Sequence, residues 1–346
     1  MNPLAGIYAA ATRLNSNFFD RGLFRSHQLA RPVISVGNLS TGGSGKTPFV
    51  IMLGELFKAR GISFDVLSRG YRRKTRDVLV VEPHGNAADF GDEPLLISRR
   101  LGVPVIVGNS RYAAGMLAEG KFDSQFHILD DGFQHRSLAR DFDIVLMTGD
   151  EFKDRLLPSG TLREPLSSLA RADVVVLPAE LPDADLPDHE ALHGKLIWRM
   201  KRHVTVPNAP HTPVVFCGIA RPEQFFEQVR TAGVTPVEEA VFRDHHTYQP
   251  RDITGLLAAK ERRGADGFVT TEKDAINLGA LGAELRPLTL AALTVSLENA
   301  SDAIDTILSR TKGAKAPLVR ESSVARPMHG MKSKPRISKL TDDKAR

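Results

Sequence analysis

The chain has 346 residues, of which 42% are hydrophobic, and a formal net charge of +5. This length suggests two domains with sizeable cores, although one large α/β domain is compatible with it. The single cysteine, Cys217, excludes an intramolecular disulfide and fits a reducing compartment. We recognise neither an internal repeat nor a cleavable signal peptide in the sequence.

The positive charge is concentrated at the C-terminal end of the sequence. Residues 311–346 hold ten Lys or Arg against three Asp or Glu, so the rest of the chain carries a net charge of −2. Because this segment has few large apolar residues, we expect a disordered basic tail over 311–346. The tail could contact anionic lipid or nucleic acid without specificity, or it could simply be solvated. We therefore expect no specific nucleic-acid partner.

The first predicted element is a helix over residues 2–19, which is too short and too polar to span a bilayer. Its apolar residues fall near one helical face: Leu4, Ile7, Tyr8, Ala11, Leu14 and Phe18. Four arginines lie on or after it, at positions 13, 21, 25 and 31. This pattern is typical of a helix lying on an anionic membrane surface, and equally of a helix packed on its own domain. We assign residues 1–30 to an N-terminal interfacial membrane helix.

Strands and helices are predicted to alternate from residue 32 onwards. Strand candidates are PVISVG, SFDVLS, PVIVG, FHILD, FDIVLM, ADVVVLP, PVVFCG and GFVTT, and helices are expected at 46–59, 221–231, 250–262 and 298–309. Short apolar runs separated by helices favour a mostly parallel α/β sheet with helices on both faces. We expect a phosphate-loop (P-loop) NTPase-like domain at 31–193, linker strands at 194–213, and a second, smaller α/β domain at 214–310.

The segment GNLSTGGSGKTP (37–48) lies between a predicted strand and a predicted helix, which is the context of a phosphate-binding loop. The usual spacing would place a glycine at position 40, where this chain has Ser40. Glycines shifted inward could supply the missing turn freedom, so we predict a nucleotide site rather than a plain glycine turn. Lys46 would reach the β- and γ-phosphates and the Thr47 hydroxyl would bind Mg²⁺. The predicted nucleotide-binding positions are Ser40, Thr41, Gly42, Gly43, Ser44, Gly45, Lys46 and Thr47.

Two adjacent carboxylates, Asp130 and Asp131, end the predicted strand FHILD. Ligands gather at the carboxyl ends of parallel strands, and the metal-binding aspartate of phosphate-loop enzymes occupies such a position. Successive side chains alternate in direction, so we expect one of the two to face the ion directly. The alternative is an Asp-Gly turn that caps the next segment.

Four further segments carry polar side chains that suit a kinase or a plain surface. Asp92 begins a predicted helix in DFGDEPLLISRR and could be a simple cap. The basic loop in VLSRGYRRK (66–74) suits an anionic substrate, although a solvated loop is the commoner meaning. LPSGTLREP (157–165) mixes turn residues with Arg163 and Glu164. In FRDHHTY (242–248), adjacent histidines make a shared zinc site unfavourable.

These segments, in this order, resemble the tetraacyldisaccharide 4′-kinases, also called lipid A 4′-kinases. The matching blocks span about residues 33–278 and are GNLSTGGSGKTP, SRGYRRK, GDEPLL, VGNSR, LDDGFQHR, LREPLSSLARAD, DHHTY and TEKDAINL. The family's loop also lacks the first glycine, so Ser40 follows the family pattern. The resemblance implies a membrane-associated enzyme on the cytoplasmic face of the inner membrane of Gram-negative bacteria. Such an enzyme moves the γ-phosphate of ATP to the 4′-hydroxyl of a tetraacylated glucosamine disaccharide 1-phosphate.

The resemblance also implies roles for individual residues at matching positions. Asp92 would be the base that acts on the sugar hydroxyl, and His245 would pair with it. Nucleotide contacts are implied for Asp131, Gln134 and His135. Mg²⁺ would be held from among Thr47, Asp130, Gln134 and Glu164. Substrate or phosphate contacts are implied for Ser68, Arg69, Gly70 and Arg111.

The sequence departs from the family pattern at three positions that remove none of these side chains. Arg243 stands where proline is expected, and Ser159 and Thr161 replace the usual alanine and proline. A nucleotide switch that binds a partner protein is a competing interpretation, and so is an ATP-dependent soluble ligase. The switch needs no base for a sugar hydroxyl and no lipid-binding helix, and nothing in the sequence specifies a second substrate for a ligase. The sequence does not fix an oligomeric state, and a monomer is compatible with it.

Overall fold

The computed structural model describes residues 3–182, 186 and 190–311. Its strands are β1 Val33–Asn38, β2 Phe64–Ser68, β3 Leu79–Val80, β4 Val105–Val107, β5 Phe126–Asp130, β6 Phe142–Leu146, β7 Val174–Pro178, β8 Leu196–Thr205, β9 Pro213–Cys217, β10 Glu238–Val241, β11 Gly267–Thr271 and β12 Leu288–Leu297. Its α-helices are α1 Pro3–Asp20, α2 Lys46–Ala59, α3 Ala87–Phe90, α4 Asp92–Leu101, α5 Arg111–Lys121, α6 Pro222–Thr231, α7 Pro250–Arg263, α8 Glu272–Leu278 and α9 Ala300–Thr311. The basic tail predicted for 311–346 lies outside these residues, except for Thr311 at the end of α9.

The described strands form one twelve-stranded sheet in the order β10-β9-β11-β12-β8-β7-β6-β1-β5-β2-β4-β3. Neighbouring strands are parallel except at β12/β8 and β4/β3. The predicted mostly parallel α/β fold is therefore confirmed. The domain limits at 193 and 214 stay a prediction, because the strands on both sides of them belong to this one sheet.

Strand β12 joins the two groups of parallel strands, and the sequence analysis did not predict it. Its first residues pair with β11 in parallel, with Leu288 opposite Phe268. Its last residues pair with β8 in antiparallel register, with Leu297 opposite Met200. Strand β12 thus connects the strands that include β1, which precedes the phosphate loop, with the strands β9, β10 and β11.

Helices cover both faces of the sheet, because successive strand residues point to opposite sides. In β1, Ile34 packs in the cluster that includes α2, α4 and α9, whereas Val33 packs in the cluster that includes α5. In β9, Phe216 faces α7 and Cys217 faces α6. The predicted arrangement with helices on both faces is confirmed, and it leaves the strand ends free to carry a site.

Candidate active site

A cavity of about 930 Å³ opens at the carboxyl ends of β1, β2 and β5. Most of the predicted site residues line it: Thr41, Gly42, Gly43, Ser44, Gly45, Lys46, Thr47, Ser68, Arg69, Arg111, Asp130, Asp131, Gln134, His135 and His245. Among the described residues, its wall does not include four other predicted positions, which are Ser40, Gly70, Asp92 and Glu164. Of these four, Asp92 contacts the wall through His245.

The phosphate loop has the conformation that its glycines permit. Gly42 and Gly45 adopt φ of 106° and 88°, in the left-handed region that favours glycine. Helix α2 begins at Lys46 directly after this turn, so its first N–H groups face the cavity. The Lys46 ammonium lies 3.1 Å from Asn38 Oδ1 and 3.4 Å from Asp131 Oδ1. A cradle of N–H groups with one mobile cation beside it is suited to a polyphosphate.

Ser40 anchors this loop from behind. Its hydroxyl donates to Glu151 Oε1 at 2.8 Å, and both residues are buried. The other Glu151 oxygen accepts from the Thr148 N–H at 2.8 Å. The residue that replaces the first glycine of the usual pattern therefore ties the loop to the segment after β6, and its side chain points away from the cavity.

Asp131 is the carboxylate that meets the loop lysine. Its backbone is left-handed, with φ of 50°, which turns its side chain towards Lys46 and Arg163. Arg163 Nη1 lies 3.1 Å from Asp131 Oδ2. Although burial favours the protonated acid, the charges of Lys46 and Arg163 hold the pKa of Asp131 below its usual value. Asp131 is thus an anion that can face cations in the cavity.

Asp130 is the second, more deeply buried carboxylate, and it accepts from the Ser68 hydroxyl at 3.0 Å. Burial, Glu93 and Asp131 together raise its pKa to about 7. Excess negative charge at this point is what a divalent cation would neutralise. Among the described residues, no group of three or more His, Cys, Asp or Glu side chains has metal-binding geometry. Mg²⁺ sites typically use one or two carboxylates together with phosphate oxygens, so this pair fits that ion.

The remaining members of LDDGFQHR and LREP lie around these aspartates. Gln134 donates to the Asn38 carbonyl at 2.8 Å and its Oε1 lies near Arg163. Burial, followed by the charge of Arg111, lowers the pKa of His135 to about 4, so its ring is neutral. Glu164 is buried and pairs with Arg171 at 2.6 Å. Its side chain therefore faces Arg171, one layer away from the cavity.

Two arginines, Arg69 and Arg111, line a basic corner of the cavity. Arg69 is exposed, whereas Arg111 is buried at the start of α5. Burial and the charge of Arg69 lower the pKa of Arg111 to about 10, a sign that an anion is favoured here. Gly70 has a packing role, because a Cβ there would lie 2.8 Å from the Phe90 carbonyl. That close approach sets the turn before Asp92 against the basic loop.

Asp92 and His245 are 153 residues apart in sequence and in direct contact. His245 Nδ1 lies 2.8 Å from Asp92 Oδ2. His245 has a left-handed φ of 56°, and its N–H donates to the Gly218 carbonyl at 3.1 Å. Burial alone would raise the pKa of Asp92, but the hydrogen bond from His245 and the charge of Lys273 lower it to about 2. The pair is an ionised carboxylate held by a histidine that lines the cavity.

Sequence reasoning missed several residues of the site. Arg202 of β8 donates to the Ser44 carbonyl, and Lys273 and Asn277 of α8 reach the Asp92–His245 pair. Arg72, which belongs to the basic loop predicted to suit an anionic substrate, lines the cavity and donates to the carbonyls of Asp244 and His245. The polar residues at i and i+4 in TEKDAINL were the one available signal for α8.

Comparison with known proteins gives a consistent result. The family model described as LpxK, Tetraacyldisaccharide-1-P 4'-kinase, matches residues 1–312. A tetraacyldisaccharide 4'-kinase of Koribacter versatilis is 44% identical over 89% of this chain and 98% of the relative. One from Geobacter metallireducens is 38% identical over 84% of this chain and 91% of the relative. The crystal structure of LpxK from Aquifex aeolicus in complex with ATP has a TM-score of 0.72 and 32% identity, and covers 89% of this chain and 98% of that one.

The match extends over the phosphate loop, both aspartates and the segments that carry Asp92 and His245, which the fold gathers around one cavity. The predicted resemblance is confirmed, and the chain belongs to the tetraacyldisaccharide-1-P 4'-kinase family.

Proposed function

We propose that this chain transfers the γ-phosphate of ATP to the 4′-hydroxyl of a tetraacylated glucosamine disaccharide 1-phosphate, a step of lipid A biosynthesis. Relatives that carry this enzyme's name and a solved relative in complex with ATP support the proposal. The observation that carries it is the 2.8 Å contact between Asp92 and His245 beside the phosphate loop. An alcohol acceptor needs such a base, whereas a nucleotide switch does not.

The phosphate side of the reaction requires positioning and charge neutralisation. The N–H groups at the start of α2 and the Lys46 ammonium bind the β- and γ-phosphates. Mg²⁺, when bound, neutralises the charge that develops on the phosphates. Asp130, Asp131 and the Thr47 hydroxyl are the side chains that would hold it. Arg163 holds Asp131 in place from the other side, at 3.1 Å.

The acceptor side requires a base, since a sugar hydroxyl is a poor nucleophile at neutral pH. Asp92 takes the hydroxyl proton while the oxygen attacks the γ-phosphorus, and His245 orients the carboxylate. General-base assistance of this kind contributes about 10²–10⁴ in rate. Arg69, Arg111 and the Ser68 hydroxyl lie at the basic corner between the two aspartates and the base, and we assign them to contacts with the substrate or the transferring phosphate.

Helix α1 supplies the contact with the membrane surface that an acylated substrate requires. One side of it is fixed to the protein, because Tyr8 donates to the Arg163 carbonyl at 3.0 Å and Arg136 pairs with Asp20. On its other side, Ile7 and Leu14 are 66% and 53% exposed. No helix among the described residues is long and apolar enough to cross a membrane. We therefore propose peripheral attachment to the cytoplasmic face of the inner membrane, through this exposed side and the arginines near it.

The transfer itself is tested with labelled ATP and detergent-solubilised disaccharide 1-phosphate lipid. We expect a product that carries a second phosphate, and we expect Lys46→Ala to remove more than about 90% of the activity, at least about 1.4 kcal/mol. Lys58→Ala is the matched control, because Lys58 lies on the same helix and bonds the Leu101 carbonyl instead. A folded, ATP-binding sample without transfer would contradict the kinase assignment and favour the switch.

The membrane contact is tested by flotation with vesicles that contain anionic lipid. Deleting residues 2–19 removes the apolar side of α1, where each buried side chain contributes at most about 1.5–3 kcal/mol. We expect the protein to move to the soluble fraction while ATP binding is retained. Equal flotation before and after the deletion would place the contact elsewhere, and the basic loop around Arg69 would be tested next.

A further inference from the structure

Helix α8 directs two polar side chains at the Asp92–His245 pair. Lys273 and Asn277 are four residues apart, so they lie on the same face of the helix. Asn277 Nδ2 donates to Asp92 Oδ2 at 3.1 Å. The Lys273 ammonium lies 3.2 Å from His245 Nε2. One helix thus contacts both members of the pair, each through a different side chain.

The contact with Lys273 determines where the proton of His245 resides. An ammonium group has only donors, so a hydrogen bond from Lys273 requires Nε2 of His245 to accept and to carry no proton; the Asp244 carboxylate is farther from Nε2, at 3.8 Å. The proton of the neutral ring then lies on Nδ1, which donates to Asp92 Oδ2 at 2.8 Å. Lys273 therefore selects one of the two tautomers of His245, the one in which the ring donates to the carboxylate.

The contact with Asn277 determines which oxygen of Asp92 can take a proton. A carboxylate has about four acceptor sites, two on each oxygen. Oδ2 already accepts from His245 and from Asn277, whereas Oδ1 accepts from the Glu93 N–H at 3.0 Å. With these contacts in place, the remaining acceptor site belongs to Oδ1.

Lys273 also balances the negative charge around the base. Its ammonium lies 3.8 Å from Asp92, 3.6 Å from Glu93 and 3.6 Å from Asp244. Three carboxylates this close would otherwise repel one another and favour protonation of one of them. With the charge of Lys273 among them, Asp92 stays ionised and the remaining acceptor site on Oδ1 stays available.

The position of α8 is itself fixed by the residue next to Lys273. Asp274 is fully buried and accepts from the Gly218 N–H and the Tyr248 hydroxyl, each at 2.9 Å. Gly218 also accepts the N–H of His245 through its carbonyl. The segment that carries His245 and the helix that carries Lys273 therefore share one buried anchor, and their side chains meet in a defined geometry.

We propose that Lys273 and Asn277 are positioning residues for the phosphoryl transfer. Lys273 keeps His245 in its Nδ1–H tautomer, and Asn277 keeps Asp92 turned so that Oδ1 accepts the proton of the sugar hydroxyl. As that O–H bond breaks, the hydroxyl oxygen bonds the γ-phosphorus, and the bond from this phosphorus to the β–γ bridging oxygen of ATP breaks to release ADP. The inference rests on the proposed role of Asp92 as the base.

The tautomer is tested without an activity measurement, by ¹⁵N NMR of the full chain labelled at histidine. The signals of His245 are identified as those that disappear in His245→Gln. In the wild type we expect a protonated Nδ1 and an unprotonated Nε2, and in Lys273→Met a shift of both signals towards the other tautomer. Lys260→Met is the control, because Lys260 bonds the Arg286 carbonyl and lies over Phe268. Unchanged His245 signals in Lys273→Met would overturn the role of Lys273.

The kinetic consequence is tested with Lys273→Met and Asn277→Leu. We expect each to lower kcat about tenfold to a hundredfold, a part of the general-base contribution, while KM for ATP and for lipid changes less than about threefold. Lys273→Met should cost less in a His245→Ala background than in the wild type, because its contact with His245 is then already lost and only its charge beside Asp92 remains to be removed. An unchanged kcat, or full multiplication of the two losses, would overturn the proposal. If Asp92→Asn kept full activity, the base assignment would fail, and the NMR result would still decide the tautomer.

Discussion

Two histidine–aspartate pairs among the described residues differ in their third partner: the cavity pair, His245–Asp92, and the core pair, His127–Asp65. At the cavity, His245 bonds Asp92 at 2.8 Å through Nδ1 and faces the Lys273 ammonium at 3.2 Å through Nε2. In the core, His127 bonds Asp65 at 2.7 Å through Nδ1 and faces the Glu119 carboxylate at 3.3 Å through Nε2.

The third partner decides the protonation state and hence the use of each pair. His127 has a carboxylate oxygen at each nitrogen, so both nitrogens donate and the ring is a cation. Although burial disfavours the charge, Asp65 and Glu119 raise the pKa of His127 to about 9. A cation between two anions holds β2, β5 and α5 together. His245, which faces an ammonium at Nε2 in place of a second carboxylate, instead orients one carboxylate for chemistry.

The largest expected effect is a loss of kcat, which we expect at the cavity pair and not at the core pair. Asp92→Asn removes the base, so we expect kcat to fall about 10²–10⁴-fold while ATP affinity changes little. His245→Ala should lower kcat less, because the carboxylate remains. Single-turnover kinetics of the single and double variants measures both losses. The double variant should lose less than the product of the two, since residues acting as one unit are not additive.

This first prediction fails if the two losses multiply fully, which would mean that Asp92 and His245 act independently. An unimpaired Asp92→Asn enzyme would remove the base altogether. The second result would make the cavity pair equivalent to the core pair, with a role in packing alone.

The second expected effect is on stability, and it belongs to the core pair. Asp65 and His127 are opposite each other on β2 and β5 and are fully buried. Asp65→Asn removes one of the two anions that pair with the buried His127 cation. We expect this change to lower the free energy of unfolding by about 3–5 kcal/mol. Urea unfolding followed by circular dichroism should show this loss, whereas kcat of the folded enzyme should stay unchanged. A loss of kcat without a loss of stability would contradict this prediction, because the core pair would then act in catalysis and not in stability.

The phosphate loop was predictable because its signal is local. The strand β1, the glycines and helix α2 follow one another within GNLSTGGSGKTP, and the structure places α2 at 46–59 as predicted. Asp130 and Asp131 were equally accessible, since a strand end followed by Asp-Asp-Gly is a short pattern. In each of these cases, chain connectivity alone brings the side chains to the carboxyl edge of the sheet.

The Asp92–His245 pair could not be predicted from local patterns, because three distant segments form it. Only the family resemblance joined Asp92 to His245, and it gave no role to Lys273 or Asn277, although TEKDAINL was one of its matching blocks. Helix α8 has seven residues, too few for its periodicity to be read. Predicting these contacts required the position of β12, whose pairing with β8 and β11 unites the two strand groups.

The orientation of single side chains was the least predictable feature. Ser40 and Glu164 belong to matching motifs, yet their side chains bond Glu151 and Arg171 behind the cavity. A motif specifies the residue type at a position, but it does not specify which neighbouring residue forms a hydrogen bond with that side chain. Buried partners decide that, and they come from other parts of the chain.

The smallest expected effect is a difference in the pH dependence of stability. The pKa of His127 is about 9 in the folded protein against 6.5 when it is unperturbed. A raised pKa contributes stability that is fully present below about pH 6.5 and is lost as the pH rises through about 9. The pKa of Asp92 is lowered from 3.8 to about 2, so its contribution is present above about pH 3.8 and is lost as the pH falls through about 2.

The two pairs should therefore be separable by variants measured at opposite ends of the pH scale. Urea unfolding of the wild type between pH 6.5 and 9 should show a decline in the free energy of unfolding, at most about 1.4 kcal/mol per pH unit from one group. His127→Gln should lack this component, whereas Asp92→Asn should retain it and lose only the acid component. If His127→Gln showed the same alkaline decline, the His127 ring of the wild type would be neutral in the core. The contrast in charge between the two pairs would then be wrong, and only the contacts of the Asp92–His245 pair would remain to distinguish them.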